Sequence, residues 1–192
     1  MIFVMIISKN KTIIAICGSG SLSASLFSKA GFKVLKTTAD PEIYKQADII
    51  LVTVETMEAV LKDIGCNMKK GALIIIESII APGTMEKVIK PTLENESGLY
   101  INKDFLLANI DKHNRVIGGF TEKASKLSKK LYKNITKDKI EETTPIVAEI
   151  TNAYEATHQD IETAFDNEMA LLCEPMGADI YEVRRLVKNQ SG

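Results

Sequence analysis

One glycine-rich segment of this sequence has residue types and spacing suited to binding a phosphate: Gly18-Ser19-Gly20-Ser21-Leu22-Ser23. The first glycine permits a tight turn, and the second lets backbone N–H groups approach a pyrophosphate at the amino terminus of a helix. The pattern is weak alone, and its place between a strand-like run and a helix-like segment strengthens it. It predicts a dinucleotide site, and a turn without a ligand remains the alternative. The expected cofactor-binding residues are Gly18, Ser19, Gly20, Ser21 and Leu22.

A dinucleotide site usually has an acidic residue about 20 positions further on, at the end of the second strand, where it binds the ribose hydroxyls. Asp40 is the nearest acid, but it precedes Pro41 and is typical of a helix cap. Thr38 lies closer to the position where the acid would fall. Selection through the ribose hydroxyls is therefore unsupported, and the expected cofactor, NAD, is predicted to bind weakly.

The three cysteines are too few and too scattered for a disulfide framework, and no metal site is predicted. We expect Cys17 in a buried strand, Cys66 in a loop and Cys173 near the end of a long helix. Each is interpreted as a small apolar residue and not as a nucleophile. His113 and His158 stand in no catalytic pattern.

The elements that must position these residues follow from the apolar pattern. Short apolar runs alternate with amphipathic segments, which is typical of βαβ units around a parallel sheet. Because the runs are continuously apolar, helices must cover both faces of the sheet. The predicted fold is α/β, a Rossmann-like parallel sheet followed by a small all-α region. The predicted strands are 11–17, 31–35, 48–54, 72–77, 99–102 and 115–118.

Capping residues predict where helices begin, namely Asp40, Thr56, Thr121 and Asp179. The segment 145–175 has no glycine or proline between its ends, and its apolar residues recur at helical spacing. Such a long helix reaches beyond the core of a small domain. These apolar residues form a stripe along one side of the helix, around residues 146–174. We therefore expect this stripe to contact another chain, in a homodimer or a heterodimer. The acids Glu149 and Glu168 are expected in solvent or at that interface.

These patterns predict two domains, 1–144 with an extension at 1–11, and 145–192. With 45% apolar and 26% charged residues, the chain has the composition of a folded protein. A net charge of -1 gives no reason to expect nucleic acid or an anionic membrane as a partner. The apolar run at residues 1–7 is too short to span a bilayer and lacks the features of a signal peptide, so a cytoplasmic protein is expected.

Several segments between Thr12 and Lys188 together carry a family resemblance, namely Gly18-Ser19-Gly20, 47–56, 77–84, 102–105, 115–119, 148–151 and 164–170. Through them the chain resembles the UDP-glucose/GDP-mannose dehydrogenase family, in particular its UDP-N-acetylmannosamine dehydrogenases. The family oxidises the C6 alcohol of a nucleotide sugar to a carboxylate with two NAD. The resemblance implies an NAD domain, a dimerising helical domain and a third domain with a catalytic cysteine. It adds Thr56 and Glu77 to the expected cofactor-binding residues.

The resemblance also shows where family chemistry is missing. The family's threonine hydroxyl is replaced by Ile79, its lysine by Asn152 and its downstream asparagine by Ala156. Asp104 stands for a glutamate and is the remaining catalytic candidate. The sequence ends at Gly192, before the family's cysteine loop. We therefore expect this chain alone not to complete the oxidation of a nucleotide sugar.

Two functions remain open. The chain could be one half of a split dehydrogenase that a second polypeptide completes. Alternatively, it could be a non-catalytic relative that binds a nucleotide or pairs with a full-length dehydrogenase. Because Ile79 and Asn152 lie inside the present half, where a second polypeptide could not restore the lost groups, the substitutions favour the non-catalytic relative. Matches far beyond the glycine turn disfavour a methyltransferase.

Overall fold

The computed structural model describes residues 7–54, 57–111 and 116–188. The chain divides into two compact units, one up to Ala153 and the other from Tyr154 onward. The first unit holds the whole sheet and the beginning of the long helix. The expected extension at residues 1–11 lies mostly outside the described residues.

The first unit is built on a seven-stranded sheet in the order β2-β1-β3-β4-β5-β6-β7. All neighbouring strands are parallel except β5 and β6. The first five strands follow the doubly wound order 2-1-3-4-5, in which the strand order reverses between β1 and β3. The predicted α/β class with a Rossmann-like sheet is confirmed. The strands are β1 Ile13–Gly18, β2 Lys33–Thr37, β3 Ile49–Thr53, β4 Leu73–Ile76, β5 Leu106–Asp111, β6 Val116–Gly119 and β7 Glu141–Thr143.

Helices cover both faces of the sheet, as the continuous apolar runs predict. On one face Phe27 and Tyr132 pack against Ile16, and on the other Tyr44 and Leu61 belong to a second buried cluster. Every residue of β4 is fully buried, which explains why its four positions are all apolar. The helices are α1 Ser21–Lys29, α2 Pro41–Gln46, α3 Glu58–Asn67, α4 Lys90–Ser97 after a π-helical stretch Met85–Ile89, α5 Glu122–Tyr132, α6 Pro145–Met176 and α7 Ile180–Lys188.

The predicted helix caps are confirmed where the structure describes them. The side chain of Asp40 accepts a hydrogen bond from the Glu42 N–H at 3.0 Å, and Thr121 accepts one from the Ala124 N–H at 3.2 Å. Asp179 caps α7 in the same way. Thr56 lies outside the described residues. No helix in the described ranges combines the length and the apolar character that a membrane span needs.

The sequence prediction was wrong at some elements. Residues 99–102 form no strand, because Gly98 ends α4 in the left-handed region and only a single bridge joins Ile101 to Phe105. Strands β5 and β7 were not predicted, since polar residues interrupt β5 and β7 is short and polar. Cys66 lies inside α3 and is exposed, not in a loop.

Glu149 also differs from its expected solvated position, because its side chain is 1% exposed. Its two carboxylate oxygens accept hydrogen bonds from the backbone N–H groups of Gly83 and Met85, at 2.8 and 2.7 Å. These N–H groups begin a helical segment and have no acceptor within it. Glu149 therefore fixes the start of α6 to the loop that follows β4, whereas Glu168 is exposed as expected.

Candidate functional site

The glycine turn begins where β1 ends. Gly18 has a φ of 103°, and a Cβ atom there would lie 2.5 Å from Val54 Cγ1 and 2.7 Å from the Thr53 carbonyl oxygen. A side chain at this position would meet both an unfavourable backbone conformation and a collision. Gly18 is therefore required for the turn to form against the end of β3.

Thr53, the last residue of β3, holds the turn in place. Its hydroxyl donates to the Cys17 carbonyl oxygen at 2.9 Å and accepts from the Gly20 N–H at 2.9 Å. The Ser19 hydroxyl donates to the Thr53 carbonyl oxygen at 3.4 Å. The sequence analysis missed this residue, although a polar side chain at the end of an apolar strand was a usable signal. The three contacts connect β1 and β3 at the point where the strand order reverses.

Helix α1 starts directly after this turn and presents its amino terminus at the carboxyl edge of the sheet. Gly20 is its N-cap residue, no side chain forms a capping hydrogen bond, and the first turn contains no acid. Leu22, in that first turn, is 71% exposed. A helix end with a partial positive charge and no capping side chain is suited to an anionic group such as a pyrophosphate.

Glu77 directly follows β4 at the carboxyl edge of the sheet. Its side chain is 9% exposed and belongs to a buried hydrogen-bond network. The Ser23 hydroxyl donates to Glu77 Oε2 at 3.0 Å, and the Tyr132 hydroxyl donates to Glu77 Oε1. Burial, followed by the charge of Glu77, raises the pKa of Tyr132 well above its ordinary value. The network joins the end of β4 to α1 and α5, so the Glu77 carboxylate contacts the helix that carries the turn.

Asp104 and the glycine turn lie at opposite edges of the sheet. Asp104 precedes β5 at the amino edge, where its carboxylate lies 2.7 Å from the Lys70 ammonium and accepts a hydrogen bond from the Tyr100 N–H at 3.1 Å. Lys70, followed by the Tyr100 N–H, lowers the pKa of Asp104. Strands of four to six residues separate the edges by roughly 13–20 Å. The structure therefore does not bring Asp104 together with the turn.

Asp111 is the acid at the carboxyl edge that the sequence analysis missed. It ends β5 and is 1% exposed. Because β5 runs parallel to β4, Asp111 stands at the same edge as Glu77 and the glycine turn. The missed strand explains why this acid was overlooked.

The three positions at which the sequence analysis expects family side chains to be replaced lie in different surroundings. Ile79 follows β4 and is 63% exposed, in a loop anchored by the Ser78 hydroxyl, which donates to the Val54 carbonyl oxygen at 2.7 Å. Asn152 is 7% exposed in the first unit, whereas Ala156 belongs to the second. Arg115, in one of the matched segments, is outside the described residues.

Two of the three cysteines, Cys17 and Cys173, are buried. Cys17 is fully buried, and the Tyr44 hydroxyl donates to its sulfur at 3.1 Å. Burial raises the pKa of Cys17, which keeps it a thiol. Cys173 is 7% exposed near the end of α6. Within the ranges that the structure describes, no group of three or more His, Cys, Asp or Glu side chains could hold a metal ion.

An open groove of about 570 Å³ lies beside the turn at the end of β2. Thr38 is in this groove, at the strand end where a dinucleotide site usually has an acid. The groove also contains Asp40, whose carboxylate caps α2. The lining residues are Gly18, Lys36, Thr37, Thr38, Ala39, Asp40 and Ile43.

A doubly wound sheet with a glycine turn where the strand order reverses is the architecture of Rossmann-like dehydrogenase domains. The chain belongs to the UDP-glucose/GDP-mannose dehydrogenase family. Residues 8–136 match the family's NAD binding domain, and residues 146–192 match its central domain.

Similar proteins support this assignment. The chain is 34% identical to the UDP-N-acetyl-D-mannosamine dehydrogenase of Pyrococcus horikoshii, over 79% of this chain and 42% of that protein. It is 28% identical to the corresponding protein of Methanocaldococcus jannaschii, over 79% of this chain and 40% of that one. The solved structure of the Pyrococcus horikoshii enzyme superposes with a TM-score of 0.81 at 26% identity, covering 93% of this chain and 58% of that one. The chain thus spans less than half the length of these curated relatives.

The buried network predicts the effect of removing the tyrosine hydroxyl. Tyr132→Phe leaves Glu77 Oε1 without this donor, and we expect a loss of about 1.5–3 kcal/mol in the free energy of unfolding, measured by urea denaturation at pH 7. Because the folded pKa of Tyr132 is raised, its contribution is present below about pH 10 and lost as the pH rises further. The difference between the two proteins should therefore shrink at alkaline pH.

Tyr100→Phe is the matched control, because Tyr100 is 62% exposed. It should unfold like the unmodified protein at every pH. Equal stability of the Tyr132→Phe variant and the unmodified protein at pH 7 would contradict the network.

Proposed function

We propose that this chain binds a nicotinamide dinucleotide at its glycine turn. The observation that carries the proposal is the Gly18–Gly20 turn, which Thr53 fixes in front of the uncapped amino terminus of α1. The match to the NAD binding domain of the family supports it. In doubly wound sheets, ligands bind in the crevice outside the carboxyl ends of the strands, where the strand order reverses.

The residues present fit such a ligand. The backbone N–H groups of the first turn of α1 would hold the pyrophosphate, and Gly18 permits the tight turn that leads into this helix. The groove at the end of β2 lies on one side of the turn, and the ends of β3 and β4 lie on the other. When bound, the cofactor would supply hydride chemistry. The chain's own residues would hold and orient it.

The second part of the proposal is that this chain does not itself oxidise a nucleotide sugar. An isoleucine at position 79 can neither hydrogen-bond a reacting hydroxyl nor order a water molecule. Asn152 has no charge to stabilise an oxyanion, as the family's lysine would. Ala156 offers no hydrogen bond. Because catalytic groups act together, losing several of them costs orders of magnitude in rate.

A separate observation supports a role in pairing with another chain. In the second unit, α6 exposes large apolar side chains at helical spacing. Exposed apolar surface of this kind is typical of interaction sites. We propose a homodimer through this stripe, with a full-length dehydrogenase chain as the other candidate partner. The exposed fractions are 72% for Tyr154, 63% for Ile161, 63% for Phe165 and 54% for Leu172.

Leu22→Asp tests the dinucleotide site. A carboxylate in the first turn of α1 suits the helix dipole and should leave the fold intact, but it would repel a pyrophosphate. We expect NADH, titrated by its fluorescence, to bind the variant at least tenfold more weakly than the unmodified chain. Leu22→Asn, which has the same size without the charge, should bind within about threefold of the unmodified chain. Equal binding by the aspartate variant would place the cofactor elsewhere.

Catalysis is tested by mixing the purified chain with UDP-N-acetylmannosamine and NAD and following the absorbance of the reduced cofactor. We expect no turnover under conditions in which the same titration shows bound dinucleotide, because the groups at positions 79, 152 and 156 cannot do the chemistry. Sustained formation of reduced cofactor, absent when the sugar nucleotide is omitted, would overturn the non-catalytic proposal.

Pairing is tested by size-exclusion chromatography with light scattering. We expect a dimer for the unmodified chain and a monomer for Phe165→Glu, because a charge within an apolar interface is costly. Thr163→Glu adds the same charge about 200° away around the helix and should remain dimeric. A monomeric unmodified chain would refute the homodimer.

A further inference from the structure

We infer that the groove at the end of β2 selects a dinucleotide with a phosphate on the 2′-position of its adenosine ribose, with Lys36 as the partner of that phosphate. The inference rests on the proposed dinucleotide site and names which of the two common cofactors it takes. NADP would then be preferred over NAD. The argument starts from the side chains at the end of the second strand.

The first step is the absence of an acid where the strand ends. In NAD-binding sheets, a carboxylate at this place accepts hydrogen bonds from the ribose hydroxyls, and it repels a 2′-phosphate. Here β2 ends at Thr37, and Thr38 follows it in the groove. The Thr37 hydroxyl is already used, because it accepts from the Asp40 N–H at 2.7 Å. Thr38 is exposed, and its hydroxyl can donate to a phosphate oxygen.

The second step is the position of Lys36. Since side chains alternate along a strand, Lys36 is on the face of β2 opposite to that of Thr37. Its register partner on β1 is Ile16, which belongs to the buried cluster on the α1 side of the sheet. Lys36 also lines a smaller cavity against Ala24 of α1. The lysine therefore stands on the face that carries the helix of the glycine turn.

Lys36 is also unpaired: its ammonium has no carboxylate within 4.0 Å among the residues that the structure describes. An ammonium group without a partner, in a groove that includes Gly18, matches a phosphate placed beside the turn. A 2′-hydroxyl, by contrast, has no charge for it to neutralise. The groove's volume of about 570 Å³ is within the range of small-molecule sites.

The third step concerns Asp40, the other charged residue that lines the groove. It lies beyond the strand end, and its Oδ1 accepts from the Glu42 N–H at 3.0 Å as the cap of α2. Its geometry is explained by this capping role. If Asp40 instead bound a ribose hydroxyl, the groove would favour NAD. A role for Asp40 in ribose binding would favour NAD, whereas a role for Lys36 in phosphate binding would favour NADP. Variants of the two residues distinguish these roles.

The experiment compares the dissociation constants of NADPH and NADH, by fluorescence titration, for the full chain and three variants. We expect the unmodified chain to bind NADPH at least fivefold more tightly than NADH. Lys36→Gln should weaken NADPH binding about tenfold and change NADH binding less than twofold. Asp40→Asn keeps a capping side chain and should strengthen NADPH binding while leaving NADH unchanged. Lys33→Gln, an exposed lysine at the start of β2, is the matched control and should change neither.

The outcomes also separate this inference from the proposed function. If NADH binds more tightly than NADPH, or if Asp40→Asn weakens NADH, the selectivity is the reverse of that inferred and the dinucleotide site stands. If neither cofactor binds, the proposed site and the inference fall together. If Lys36→Gln weakens both cofactors equally, the lysine contacts the pyrophosphate and does not select. All four proteins are checked for equal unfolding in urea, so a binding change cannot come from misfolding.

Discussion

The hydrogen bonds of the Thr53 hydroxyl are the constraint on which the carboxyl edge depends. This one group donates to the strand before the glycine turn and accepts from the residue that begins α1. Neighbouring strands at this point send their chains to opposite faces of the sheet, so a crevice opens there. The backbone ladder already pairs Gly18 with Thr53 here, and the Thr53 hydroxyl adds a hydrogen bond to the residue that caps α1. Thr53 thus holds the glycine turn against the end of β3.

Two buried carboxylates position the elements around this edge. Glu77 accepts from hydroxyl groups of α1 and α5, and Glu149 accepts from two backbone N–H groups in the loop after β4. Burying a carboxylate is costly unless hydrogen bonds compensate it, so each acid requires its partners to keep their places. These hydrogen bonds order the edge without involving the side chains of Ile79 and Asn152. The order of the carboxyl edge therefore does not depend on the side chains at positions 79 and 152.

Much of the fold was predictable, because continuous apolar runs indicate buried strands and short polar side chains indicate helix caps. Asp40 and Thr121 cap their helices as predicted, and α6 begins at Pro145 as predicted. The partners of Glu149 could not be read from the sequence, since they lie 64 and 66 residues away. Asp111 was missed for a local reason, because Asn109 and Asp111 interrupt the apolar run of β5. Family resemblance directed attention to Asp104, and only the strand direction shows that it lies at the opposite edge.

The crowding around Gly18 affects what a glycine at this position indicates when related sequences are compared. A Cβ atom there would collide with Val54 and with the backbone of Thr53 whether or not a nucleotide is present. Selection for folding alone is therefore enough to preserve this glycine through generations in which the ligand has ceased to matter. The glycine fingerprint alone therefore does not distinguish a chain that binds the coenzyme from one that only keeps the fold. A residue that contacts the ligand but does not contribute to folding is a better marker of coenzyme binding, because only binding would preserve it.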